Sequence, residues 1–268
     1  MVKKVHHTKK QEVSWPDPND LLKLLFYSPA GHGKTVLIGT AIGDPEFSPV
    51  LLLDFEGGIR SIRSKTQVIT LEDLGKEEPL IDKAHVIHLK EWDDFDAVHE
   101  FLSDTQRDHH IYRTVALDSL SEMNYLHLSN VLSDAVAQDA THDPDVPLRP
   151  EYLRHSGRMR KLIRFFRDLP VHTLFSSGAG EAEDPQTRLM KLRPNLTGKL
   201  AYELPGLLDT IGYLAIVEDG EDIYRSLYVQ PTTKFMAKDR SEGGALGMCV
   251  DRPTIPLIWE LLHQEPVE

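Results

Sequence analysis

Short apolar runs alternate with amphipathic stretches along this chain. Residues 21–27, 49–54, 85–89, 114–118 and 171–176 are largely apolar runs of strand length, and Val50 to Leu53 contains no polar residue. Between them, 33–42, 93–102, 119–137 and 152–168 read as helices; 93–102 opens with acids, which suit a helix N-terminus. Continuous apolar strands separated by helices predict an α/β fold with a mainly parallel central sheet flanked by helices. Two later runs, 209–217 and 224–229, flank a turn at Gly220 and predict a C-terminal antiparallel hairpin. A closing helix is expected over 253–263. The connections 138–150, 177–188 and 239–248 are rich in Gly, Pro and acids, and are the expected working loops. Residues 1–20 carry Lys3, Lys4, Lys9, Lys10, Pro16 and Pro18 and predict a flexible basic tail. Residues 21–268 are then a single domain.

Composition narrows the class. A chain of 268 residues with 40% apolar content can bury a core without staples, and its one cysteine, Cys249, allows no intrachain disulfide. Neither a membrane-spanning run nor a signal peptide is visible, so a reducing cytoplasmic setting is expected. The net charge of −12 argues against a general nucleic-acid coat. Charge is uneven, however. The 72–108 stretch holds 12 acids and 4 bases, whereas 149–167 holds seven bases and one acid, Glu151. Thirteen histidines invite a metal reading. Yet His85 and His88 point to opposite faces of their strand, His109 and His110 are adjacent, and no Cys/His group has zinc-site spacing.

The sharpest local signal is Ser28-Pro29-Ala30-Gly31-His32-Gly33-Lys34-Thr35. It follows a strand and opens a helix, the context a phosphate-binding loop requires. Gly31 and Gly33 let the backbone curl so that its N–H groups face phosphate oxygens. Lys34 reaches the β and γ phosphates of ATP, and Thr35 offers a hydroxyl to Mg²⁺. Ser28 stands where the usual pattern has glycine. Asp118 ends the strand 114–118, where open α/β sheets bind ligands, and suits the Mg²⁺ shell; a helix cap is the other role for it. An AAA+ ATPase usually has Glu after this Asp, but here the pair is Asp118-Ser119. A carboxylate at the end of 49–54, Glu56, is placed to face the γ phosphate as a base; alternatively it pairs with Arg60 or Arg63.

A phosphate loop, a strand ending in Asp54-Phe55-Glu56, and a strand ending Asp118-Ser119 together resemble the RecA-like recombinase ATPase core over roughly 21–240. The resemblance implies that Glu56 orients the attacking water. It implies that Lys238 and Arg240, two apart in Lys238-Asp239-Arg240, act as fingers on a neighbouring subunit's γ phosphate; a solvated basic loop is the plainer reading. Pro194 to Ala201, with that basic segment, is similar to phage-encoded, core-only single-strand annealing or recombination ATPases. That likeness implies a homo-oligomer, ring or filament, sharing nucleotide between subunits in the host cytoplasm. It also implies single-stranded DNA as partner, and a single-strand-binding protein beside it. DNA would lie on loops near 138–152 and 177–193, the latter with Arg188, Lys191 and Arg193. Helical spacing puts Arg160, Arg164 and Arg167 on one face, suited to a phosphate backbone; a solvated face, or pairing with the acidic 72–108 stretch of the same or a neighbouring subunit, is the plainer reading. Ser176 or Ser177 is a candidate sensor of the γ phosphate. Two other classes stay open: a DNA-independent ATPase acting on protein, and a small-molecule kinase.

Overall fold

The computed structural model describes residues 21–104, 111–184 and 187–264. The expected 1–20 tail, the His109–His110 pair and the last four residues of the expected domain lie outside them. Six parallel strands form the centre of the sheet: β1 (Lys23–Ser28), β2 (Val50–Asp54), β3 (Thr66–Val68), β4 (Ala84–His88), β5 (Thr114–Asp118) and β6 (His172–Glu183). Then come β7 (Met190–Pro194), β8 (Thr210–Asp219), β9 (Asp222–Tyr228) and β10 (Cys249–Asp251). The order across the sheet is β10-β9-β8-β1-β6-β5-β2-β4-β3, with β7 off this path and paired to β6. β8 joins β1 in parallel, and β9 and β10 follow antiparallel. The mainly parallel sheet and the C-terminal hairpin are those the sequence predicts.

Period-two alternation sorts the apolar strand residues between two cores. Leu25, Tyr27, Leu51, Leu53, Val115 and Leu117 face one side. There they pack under α2 (Trp92–Ser103), α3 (Leu120–Gln138), α4 (Arg149–Asp168) and α5 (Leu200–Leu207). Leu24, Phe26, Val50, Leu52 and Ala116 face the other, under α1 (Lys34–Gly39) and α6 (Ile255–His263). Each fully buried aliphatic side chain in these cores stabilises the fold by roughly 1.5–3 kcal/mol. Among the described residues no helix is long and apolar enough to cross a membrane.

Three expectations change. The 177–188 stretch is no simple loop: β6 runs on to Glu183 and turns back as β7, with Ala179 opposite Pro194 and Glu183 opposite Met190. Helix α5 and strand β10 are unforeseen; α5 carries Pro205 and β10 has three residues, so neither leaves a periodic signature. The basic helix α4 begins at Arg149, using Pro150 in its first turn, earlier than the expected 152.

Candidate functional site

The strands β1, β2 and β5 end level with the middle of β6, and the chemistry gathers at these ends. The loop Ser28–Thr35 leaves β1 and enters α1. Gly31 and Gly33 adopt φ of 80° and 92°, the left-handed region that glycine enters at no steric cost. Ser28 is instead the last strand residue, paired with Gly178 and buried, so a side chain fits there. Pro29 and Ala30 carry the chain outward from it. His32 turns its Nδ1 to Leu214 O at 3.3 Å. Lys34 is nearly buried, and among the described residues its amine has no acceptor.

Thr35 Oγ1 donates to Asp118 Oδ2 at 2.6 Å, and Ser176 Oγ donates to Asp118 Oδ1. Asp118 is fully buried, and burial raises its pKa, opposed by those two hydrogen bonds; Glu56 and Asp54 nearby push the same way as burial. A sunken carboxylate and a hydroxyl beside a phosphate loop are the hard-oxygen donor set that Mg²⁺ takes, with phosphates and water completing the shell. The residues therefore fit the ion, with Thr35 and Asp118 as its protein side. Among the described residues no cluster of three or more His, Cys, Asp or Glu could hold another metal.

The two acids after β2 have different tasks. Asp54 is buried, and its Oδ1 accepts the backbone N–H of Glu56 at 3.2 Å, Gly57 at 2.8 Å and Gly58 at 3.3 Å. His88 Nδ1 lies 2.8 Å from Asp54 Oδ2. Asp54 thus builds the turn, and Glu56 projects from it, exposed, accepting from Ser119 Oγ. Among the described residues Glu56 forms no ion pair with Arg60 or Arg63. The turn closes tightly: a Cβ on Gly58 would stand 3.3 Å from Thr35 Oγ1 and 3.8 Å from Asp118 Oδ2. Thr35 and Asp118 are in contact, Lys34 precedes Thr35, and Glu56 meets Ser119, next to Asp118. Asp54, Ser119 and Gly58 were not foreseen as parts of the site; the Asp-x-Glu-Gly-Gly string was the available signal.

Other expected residues lie elsewhere or are engaged. Ser177 Oγ is 2.9 Å from Ser121 Oγ, and Ser176 is spent on Asp118, so both sensor candidates are occupied by protein groups. Lys238 corrects the finger expectation. It pairs with Ile211, and its amine donates to Pro205 O and, at 2.6 Å, to Leu208 O, capping the end of α5. Arg240 pairs with the exposed Asp209 at 2.9 Å. The basic face of α4 is neutralised within the chain. Arg160 grips Glu203 on α5, Arg167 holds Asp168 and Leu207 O, and exposed Arg164 acts on the same Glu203. Beside that face, Arg158 meets Asp96 of the acidic stretch at 3.1 Å. Arg188 pairs with Glu183 across the hairpin turn, while Lys191 and Arg193 lie on β7, with Arg193 4.1 Å over the Tyr202 ring.

A family model described as "AAA domain" matches residues 21–241, from just before β1 to just past Arg240. The chain belongs to this AAA-domain family. None of the curated proteins matches it. Membership makes the phosphate loop that of a P-loop ATPase-type core, with nucleotide and Mg²⁺ as the ligands such a core implies.

Proposed function

We propose that this AAA-domain chain is an Mg²⁺-dependent ATPase that self-assembles and engages single-stranded DNA, in the manner of phage recombination or annealing ATPases. The observation that carries the catalytic part is the convergence of Lys34, Thr35, Asp118 and Glu56 at adjoining strand ends. Lys34 and the loop N–H groups hold the phosphates. Mg²⁺ held by Thr35 and Asp118 would supply charge neutralisation for the phosphates. Asp118, steadied by Ser176, and Thr35 face that position. Glu56, set by the Asp54 turn and Ser119, takes the proton of the attacking water and aligns it.

The nucleic-acid part rests on the resemblance and on the β6–β7 hairpin. Stacking needs aromatic faces beside cations. Tyr202 lies under Arg193, and the exposed Tyr125 hydroxyl accepts from Asn195 Nδ2 at 3.0 Å just past β7. Lys191 and Arg193 share this hairpin, so it replaces α4 as the favoured DNA surface. In the assembled state Arg240 is the finger candidate, since Lys238 is held inside its own subunit. The deciding experiment is ATP hydrolysis with and without single-stranded DNA at two salt concentrations, for wild type and a Lys191→Ala/Tyr125→Ala double variant. Stimulation that fades with salt and is lost in the variant supports the reading. Hydrolysis indifferent to DNA removes the DNA role and leaves an ATPase with a protein client.

A further inference from the structure

The phosphate loop is gripped from the C-terminal hairpin by an arginine that no motif announces. Arg225, on β9, donates from Nε to His32 O at 2.7 Å. Its guanidinium lies over Gly33, where a Cβ would stand 2.4 Å from Nε and 2.9 Å from Cζ. Among the described residues the two terminal nitrogens of Arg225 meet no acceptor, and the residue is exposed. It is held in place by one nitrogen and presents the others beside a loop built for anions.

A cleft of about 270 Å³ starts at Gly33 and runs past Arg225 between α1 and β9. Val36 and Leu37 of α1 line it, with Thr40 just past the helix. Its wall is Tyr224, with the Arg252 guanidinium 4.7 Å over the ring. Arg252 is fixed in turn by Asp222, and its N–H donates to Arg225 O at 2.7 Å. An apolar floor with a stacked cation–aromatic wall suits a flat, weakly polar ring system, and the volume accommodates one.

We propose that this cleft receives the nucleoside end of the nucleotide, its flat base lying along the Tyr224–Arg252 wall, and that Arg225 binds the anionic junction between nucleoside and phosphates. The proposal rests on the phosphate-loop reading above and assigns three residues to it. A ligand anchored by its phosphates in the loop has to pass Arg225 to enter the cleft. Arginine, unlike lysine, can keep its Nε bond to His32 O while its terminal N–H groups turn to a phosphate oxygen.

Calorimetric titration of the full chain with MgATP and with inorganic tripolyphosphate separates the parts. Tyr224→Ala, or Arg252→Ala as a second variant, is expected to weaken ATP binding about tenfold and leave tripolyphosphate unchanged. Arg225→Ala is expected to weaken both about tenfold. Arg225→Gln can still donate to His32 O, yet is expected not to restore tripolyphosphate binding. Melting temperatures of the variants confirm that each is folded. Folded Tyr224 and Arg252 variants that bind ATP like wild type would overturn the nucleoside cleft. Wild-type affinity for both ligands in Arg225→Gln would reduce Arg225 to a loop clasp. A wild-type chain that binds neither ligand would instead refute the phosphate-loop reading itself.

Discussion

Two residues apart on one turn, Asp54 and Glu56 illustrate how chemistry is divided at the scale of single side chains. Asp54 Oδ1 accepts three backbone N–H groups; among the described residues Glu56 accepts only from the Ser119 hydroxyl, on its Oε1. Lys238 shows the opposite case, a cation suited by sequence to catalysis and committed by structure to carbonyls. Burial lowers its pKa, which fits an amine sunk against α5 rather than one presented to solvent. Lys238→Ala should therefore cost stability, about 1–3 kcal/mol for the stranded carbonyls, while ATP turnover per folded molecule stays at the wild-type level. Chemical denaturation and an activity assay on the same preparation check this; intact stability with lost turnover would reinstate the finger. Gly58→Ala should lower turnover, because its new methyl crowds Thr35 and Asp118, and a Mg²⁺ titration should show a raised metal requirement.

Among the elements, strands were far more legible than their interactions. Strand 114–118 is recovered to the residue, because a fully apolar run flanked by polar residues admits little else. The hairpin β6–β7 was hidden because Gly178, Gly180 and alternating acids read as a loop, and only pairing with Lys191 to Pro194 makes them strand. The α4 arginines were legible as a stripe, but their fate depended on α5, a helix with Pro205 that no periodicity marked. Once α5 is in place, Glu203 meets Arg160 and the stripe becomes an inter-helix seam. Exposed pairs of this kind contribute about 0.2–1 kcal/mol. Arg160→Ala should thus shift the melting temperature only slightly and leave affinity for single-stranded DNA unchanged, as fluorescence anisotropy would show. A large loss of DNA affinity would return the DNA surface to α4.

Across the whole molecule, the two cores and the row of strand ends hold four site residues from distant parts of the chain in one place. The buried histidines give this fold a pH signature. Burial lowers His127 to about 3 and His155 to about 4, against an ordinary value of 6.5, and their Nδ1 atoms lie 2.8 Å apart between α3 and α4. His172, buried beneath Trp259, is shifted the same way. The unfolded chain takes up these protons below about pH 6.5, whereas the fold refuses them until about pH 4 to 3. Their contribution is complete above 6.5 and falls away as pH drops through that window. The melting temperature should decline steadily from pH 7 to pH 4, with a shallower decline in His127→Gln/His155→Gln.

Glu56 as the base of a P-loop ATPase is tested most directly by steady-state ATP hydrolysis with Mg²⁺, alongside ATP affinity, for wild type and Glu56→Gln. The amide can still accept from Ser119, so the turn and the phosphate loop are expected to stand. Turnover should fall at least about a hundredfold with ATP affinity preserved. Wild-type turnover in Glu56→Gln would contradict the assignment and with it the mechanism built on this turn.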